Sequence, residues 1–233
     1  VYTVRITAYA IRGDALPLDG AALEQDFALA AWNAAPQLSQ GVIQFDRARH
    51  GCDDAIEVSL SDADLRGQDT VPILASCPAT GDSEALTLEE FPAGEGIFYA
   101  TLPTTTNPAV ANDRFLSVVE GAAAVFRYED EDDGYGEPRI TEEQTLIDCT
   151  PPVLLTHRLD SRTENSASFT LSADEPAFFY LDYGYACDSL TETSANMILA
   201  TTTTLELAGL APCSVVCYTL TLMDEAGNTA FFL

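Results

Sequence analysis

The 233-residue sequence contains no lysine, and its ten basic residues, all arginine, face 37 acidic residues. The formal net charge is −27, and the sequence pI is about 4.1. Nucleic acids and anionic membranes both require basic patches on the protein that binds them. The sequence therefore predicts no nucleic-acid binding. The acidic, lysine-free composition is typical of a protein in a salt-rich exterior, where counterions screen the repulsion among its acidic side chains. A genome of biased base composition could produce the same composition.

Long apolar runs and catalytic motifs are also missing. No run approaches about eighteen apolar residues, so neither a spanning helix nor membrane insertion is predicted. The start "VYTVRITAYA" carries no signal peptide, which we interpret as a processed chain or a fragment. The two histidines, His50 and His157, are expected in a turn and on a strand face, and no catalytic triad can be assembled. The chain is predicted not to be an enzyme, with no catalytic or cofactor-binding residues.

The six cysteines lack the paired C-x-x-C spacing of zinc sites. In a chain rich in strand signals they are more typical of disulfides in an exported protein. We therefore expect an extracellular or cell-surface location.

Short apolar stretches separated by turn residues dominate the rest of the sequence. Seven of them, spaced by about ten residues, have the rhythm of an immunoglobulin-like sandwich: "GVIQF", "AIEVSL", "TVPILASC", "EALTLEEF", "GIFYATL", "AAAVFRYED" and "EQTLIDC". Two prolines in "CTPPVLL" predict a stiff junction. Six further strands then predict a fibronectin type III-like sandwich: "VLLTHRL", "SASFTLSA", "AFFYLDYG", "TTTLELAGL", "SVVCYTLTLMD" and "NTAFFL". The predicted fold class is all-β, with tandem antiparallel sandwiches. In "AFFYLDYG", we expect Phe178 and Tyr180 to be buried on one face, with Phe179 and Leu181 on the other.

Three segments together resemble the C-terminal accessory region of secreted bacterial subtilisin-like serine peptidases and related surface proteins. "YTVRITAYAIRGD…QDFALAAWN" resembles the last hairpin of a jelly-roll domain, "FDRARHGCDDAIEVSLSDADL…IDCTPP" an immunoglobulin-like repeat, and "ADEPAFFYLDYGYAC…MDEAGNTA" a fibronectin type III module. The resemblance implies domains at 1–35, 36–150 and 151–233. It also implies a Cys52–Cys149 disulfide. In the second sandwich Cys187, Cys213 and Cys217 gather at one end, and we expect Cys187 to pair with Cys213.

Acidic residues cluster in the loops that follow the second and sixth strands of the first sandwich. Those loops emerge at the same pole in this fold, and they contain Asp62, Asp64, Asp130, Asp132 and Asp133. Oxygen ligands of this kind suit Ca²⁺, although the spacing does not match an EF-hand. A solvated polar turn is the first interpretation of "DEDDGYGEP", and a calcium site is the second.

These observations favour a non-catalytic secreted accessory or spacer region, from a subtilisin-like peptidase or a cell-surface protein. The alternative is a structural subunit of an extracellular filament or surface layer assembled by β-strand contacts. A carbohydrate-binding module has little support in the sequence. Residues 1–35 predict a two-stranded hairpin whose apolar face needs a cover. That cover is the upstream part of the same precursor, a neighbouring copy, or the adjacent sandwich.

Overall fold

The structure is a computed structural model that describes residues 40–133 and 137–232. Within these ranges every helix or strand assigned is a β-strand, so the predicted all-β class is confirmed. In the same ranges, no helix is long and apolar enough to cross a membrane. The hairpin expected in residues 1–35 lies outside the described residues.

The first sandwich contains the first nine strands. They are β1 (Val42–Phe45), β2 (Arg49–His50), β3 (Ala55–Ser61), β4 (Thr70–Cys77), β5 (Asp82–Glu90), β6 (Ile97–Thr105), β7 (Leu116–Ser117), β8 (Ala123–Asp130) and β9 (Arg139–Ile147). All seven stretches predicted for this sandwich form strands. The two additional strands, β2 and β7, are two residues long, which is too short for an alternating pattern to be visible in the sequence.

Hydrogen bonding joins these strands into one continuous sheet that folds into two layers, with β5 linked to β6 through Glu89 and Glu90 and with β7 paired to β6. One layer joins β1 to β3 and β3 to β6, both antiparallel. The other runs through β5, β4, β8 and β9, and ends at β2, which pairs in parallel with β9. The two strands that come first in the sandwich, β1 and β2, thus lie in different layers. This is the layout of an immunoglobulin-like sandwich.

The core of the first sandwich lies between these layers. Strand β3 shows how the sequence builds it, because Ile56, Val58 and Leu60 are buried while the alternating Glu57 is exposed. Phe98 from β6 and Phe126 from β8 fill the space between the layers and are fully buried. Period-two alternation therefore determines which face of each strand is apolar.

The second sandwich follows the proline junction. Its strands are β10 (Leu154–Arg162), β11 (Ser166–Gly184), β12 (Glu192–Ala208), β13 (Cys217–Asp224) and β14 (Thr229–Phe232). The first part of β11 pairs with β10, and the second part pairs with β13. The register shifts between Ser172 and Ala177, so β11 contributes to both layers, and β12 follows it along its length. The resulting arrangement is that of a fibronectin type III-like sandwich.

Two details of the second sandwich differ from expectation. The predicted alternation in "AFFYLDYG" is present, but Phe179 and Leu181 form the core while Phe178 and Tyr180 are half-buried. Alternation alone shows that two faces differ and does not show which of two apolar faces is inside. The first part of β12 was not predicted, because "ETSANMILA" forms an exposed edge without regular apolar alternation.

Two disulfides are present, one in each sandwich. Cys52 is bonded to Cys149, the pair that the resemblance implies. Cys187 is bonded to Cys217, so the expected Cys187–Cys213 pair is wrong, and Cys213 is free and exposed. The reason is strand register: Cys217 pairs with Gly184 at the end of β11, three residues before Cys187. Cys213 lies in the loop before β13. Cys77 is also free and is buried.

Candidate functional site

The structure brings together part of the acidic set predicted at one pole of the first sandwich. The Tyr128 hydroxyl donates a hydrogen bond to Asp62 Oδ2 at 2.8 Å, and the backbone NH of Asp64 donates to Asp62 Oδ1 at 3.4 Å. Asp130 accepts from the backbone NH of Gly41 at 2.7 Å and from that of Asp132 at 3.1 Å. Asp62 and Asp130 are therefore buried and fully hydrogen-bonded.

Asp64 and Asp132 are exposed, and Asp133 is half-buried. The NH of Asp133 donates to the Glu137 carbonyl across the loop at 3.0 Å. Each oxygen of the two buried carboxylates already accepts a hydrogen bond from the chain, which leaves a cation fewer open positions. Calcium binding by the five predicted residues stays a prediction. A calcium titration of the melting temperature after chelation, with Asp132→Asn beside the parent, tests it.

The electrostatic environment of this pole acts most clearly on the pKa of the buried Asp62. Burial, together with Asp64 and Asp130, raises the pKa of Asp62 to about 7, while the hydrogen bond from the Tyr128 hydroxyl acts in the opposite direction. Burial and the same carboxylates raise the pKa of Tyr128 as well. The chain requires glycine at position 41, because a Cβ there would lie 2.3 Å from the Tyr128 ring. The arrangement holds a proton inside the sandwich.

A second polar site joins the two sandwiches, and we call it the junction: residues 46–51, the linker 148–153 and the hairpin 224–228. Arg47 Nη1 donates to the Ala226 carbonyl at 3.2 Å, and Asn228 Nδ2 donates to the Asp148 carbonyl at 2.8 Å. The backbone NH of Ala48 donates to Glu225 Oε1 at 3.4 Å. The segment 224–228 forms the turn between β13 and β14, and these hydrogen bonds pack it on the first sandwich.

Three carboxylates meet at the junction: Asp148, Glu175 and Asp224. One oxygen of each lies within 4.8 Å of the others, and Asp148 and Asp224 are buried. Asp148 accepts hydrogen bonds from Arg49 Nη1 at 3.3 Å and the Thr150 NH at 3.2 Å. Asp224 accepts two from Asn228, each at 2.9 Å. Sequence reasoning missed this group, since its members lie far apart in the chain and share no motif.

The environment of this group disfavours full ionisation. Burial, together with the charges of Asp148, Asp224 and Asp174, raises the pKa of Glu175 to about 7, while Arg49 opposes the rise. Burial also raises the pKa of Asp224, although its hydrogen bonds from Asn228 lower it. The junction, like the pole, favours a bound proton.

His50 lies in a third polar group, and the turn expected for it is corrected to strand β2. Its Nδ1 lies 2.8 Å from Thr145 Oγ1 and its Nε2 lies 2.9 Å from Asp46 Oδ1. This connectivity matches a hydroxyl–histidine–carboxylate triad. However, His50 is 0% exposed and Thr145 is 1% exposed, and Thr145 Oγ1 donates to the Ala48 carbonyl. No substrate can reach the buried hydroxyl. The group instead connects β2 to β9 through its hydrogen bonds.

No protein-family model matches the chain, and no curated protein matches its sequence. Among solved structures, the alignment with the FN1–FN3 domains of chicken CNTN1 covers 79% of this chain and 62% of the CNTN1 chain. The sequence identity is 10%, and the TM-score is 0.48. A titin segment matches 80% of this chain and 61% of its own at 8% identity, with a TM-score of 0.35. The alignment with a DUF4785 family protein from Legionella pneumophila covers 82% of this chain and 54% of that protein's chain, at 13% identity and with a TM-score of 0.33. These values are too low to carry a functional argument, so the fold assignment rests on the strand topology.

Proposed function

We propose that the chain is a non-catalytic, secreted spacer region in which two sandwiches are held in a fixed relative orientation. The single observation that carries this proposal is the junction. There the hairpin 224–228 of the second sandwich hydrogen-bonds to the first through Arg47, Ala48 and Asp148. A flexible tether would not need such contacts.

The linker itself supports the same conclusion, because nearly every residue of it is held. Cys149 NH and Thr150 Oγ1 both donate to Glu120 Oε2, at 2.6 and 3.1 Å. Pro151 and Pro152 have fixed φ angles. Val153 NH donates to Asp174 Oδ1 at 2.7 Å, which anchors the end of the linker to β11. The Cys52–Cys149 disulfide ties its start to the first sandwich.

Secretion and the parent protein belong to the proposal. Two disulfides support an oxidising compartment. The resemblance to accessory regions of subtilisin-like peptidases supports a larger secreted or cell-surface parent. Determining the gene sequence upstream of Val1 tests this part, since a parent without an export signal would contradict it.

The rigidity can be measured as a distance distribution between spin labels. Cys213 is free and exposed, and Glu57→Cys adds a second label on the exposed face of β3. Cys77 is buried and should stay unlabelled. We expect a narrow distribution for this doubly labelled protein and a broad one after Arg47→Ala combined with Asn228→Ala. Arg158→Ala, which removes an exposed cation away from the junction, is the matched control. A broad distribution in the parent at every pH would contradict the spacer.

A structural subunit of a filament is the second candidate, and the outer strands favour it. Among the described strands, β14 pairs only with β13, and it exposes Phe231. The first part of β12 likewise exposes Met197 and Ile198. Unpaired strand edges are templates for another strand. Regular polymers of the purified chain that disappear after Phe231→Lys on the β14 edge, or after deletion of residues 1–35, would select this candidate. A monomer at all concentrations would exclude it.

A further inference from the structure

The junction carries an electrostatic conflict that its hydrogen bonds alone do not explain. Asp148 comes from the linker, Glu175 from β11 and Asp224 from the end of β13, and their oxygens approach within 4.8 Å. Three ionised carboxylates at this separation repel one another strongly when water is partly excluded. Asp148 and Asp224 are also the residues that position the contact with Asn228.

The charged groups facing these carboxylates do not balance them. From the first sandwich, Arg49 approaches Asp148, whereas Arg47 is already ion-paired with Asp46 and Asp54. From β11, Asp174 adds a further negative charge close to Glu175. From the hairpin, Glu225 adds another, and its Oε1 accepts the Ala48 NH. Among the described residues, one cation, Arg49, contacts the group, whereas five acidic residues lie in it or next to it: Asp148, Asp174, Glu175, Asp224 and Glu225.

We propose that the junction is a pH-dependent latch, which holds the hairpin 224–228 against the first sandwich while Glu175 is protonated and loosens when Glu175 ionises. In the latched state Glu175 is neutral, and the two carboxylates beside it, Asp148 and Asp224, both accept hydrogen bonds. Ionisation of Glu175 adds a third charge, and no described residue donates a hydrogen bond to that carboxylate. The two sandwiches stay folded, and the change is confined to the contacts between them.

The protonation equilibrium of Glu175 supports this geometry. Burial and the neighbouring carboxylates raise its pKa to about 7 from an ordinary value of 4.5. Of the groups across the junction, Asp148 raises this pKa more than Arg49 lowers it, so Glu175 takes up a proton on docking, and its contribution to docking is complete at pH values below 4.5. That contribution is lost as the pH rises through about 7. The latch is therefore closed at mildly acidic pH and weakened at alkaline pH.

The test uses the full chain with spin labels at Cys213 and Glu57→Cys, at about pH 5.5 and about pH 8.5. A chelator is present throughout and salt is held constant, so that the comparison reports protonation rather than a bound cation. We expect a narrow distance distribution at the lower pH and a broader one at the higher pH, with the transition centred near neutrality. Glu175→Gln should keep the narrow distribution at both pH values, because glutamine cannot ionise.

Two control variants separate the latch from other titrations. Asp62→Asn removes a carboxyl away from the junction whose pKa burial also raises to about 7, and Glu192→Gln removes an exposed charge on β12. Both should broaden with pH as the parent does. The latch rests on the proposed spacer function, but different results would contradict the two proposals. A broad distribution at both pH values contradicts the spacer, whereas an unchanged narrow one contradicts only the latch. Broadening of Glu175→Gln at the higher pH also overturns the latch.

Discussion

At the scale of single residues, Asp62 has a structural role beside its calcium role, which stays a prediction. The structure places its carboxyl inside the first sandwich, where it accepts a hydrogen bond from the Tyr128 hydroxyl. Burial, then the Asp64 hydrogen bond and the Asp130 charge, raise the pKa of Asp62 to about 7. Its ionised form therefore opposes folding above neutrality.

Asp62→Asn should stabilise the protein at alkaline pH. Asparagine keeps an oxygen for the Tyr128 hydroxyl and removes the charge, so we expect a gain on the order of 1 kcal/mol at about pH 8.5. At about pH 3, below the ordinary aspartate pKa of 3.8, the side chain is neutral in both the folded and the unfolded chain, and the difference should vanish. Urea denaturation at the two pH values measures this, with the exposed Asp53→Asn as control. A loss of stability at the higher pH would show that the carboxylate itself is required there.

The two histidines differ in burial and in the contacts that they make. His50 is buried between Asp46 and Thr145, whereas His157 is exposed and stacks on Phe169. His50→Ala leaves the Thr145 hydroxyl without this partner and creates a cavity, so we expect a loss of about 2–4 kcal/mol in the free energy of unfolding. His157→Ala should cost less than about 1 kcal/mol. Equal losses in chemical denaturation would contradict the role assigned to His50.

At the scale of elements, strand register determines which cysteines bond. The pairing of Cys217 with Gly184 places it near Cys187, while Cys213 stays in the preceding loop. Cys217→Ala should therefore destabilise the second sandwich by about 2–5 kcal/mol, because it opens a constrained loop. Cys213→Ala should change little. Peptide mapping without reduction checks the bond directly, and recovery of Cys187 linked to Cys213 would contradict the register.

The strands themselves were largely predictable from sequence, whereas the junction was not. Alternation marked strands such as β3 and β13, because one face of each packs in a core. The exposed first part of β12 gave no such signal, since neither of its faces is regularly apolar. Asp148, Glu175 and Asp224 meet only after both sandwiches have formed. No local pattern encodes a contact of that kind.

At the scale of the whole molecule, excess negative charge competes with a small number of ion pairs. The net charge is −27, and several of the ten arginines are already paired with carboxylates, including Arg47, Arg49, Arg127 and Arg158. Exposed ion pairs contribute about 0–1 kcal/mol each. Salt weakens those pairs, but it also screens the repulsion among all the unpaired carboxylates. Because unpaired acidic residues far outnumber the ion pairs, the second effect should prevail.

Stability should therefore rise with salt at neutral and alkaline pH. Between about 10 mM and about 1 M NaCl the Debye length falls from about 30 Å to about 3 Å. We expect the melting temperature at about pH 8 to rise by on the order of 5 °C over this range. Sodium chloride is preferred to sulfate, because sulfate also strengthens apolar burial. The internal control is the same titration near the pI of about 4.1, where the net charge approaches zero and the rise should disappear. A melting temperature independent of salt at pH 8 would mean that the carboxylates are neutralised within the fold, and the excess charge would then not require a salt-rich exterior.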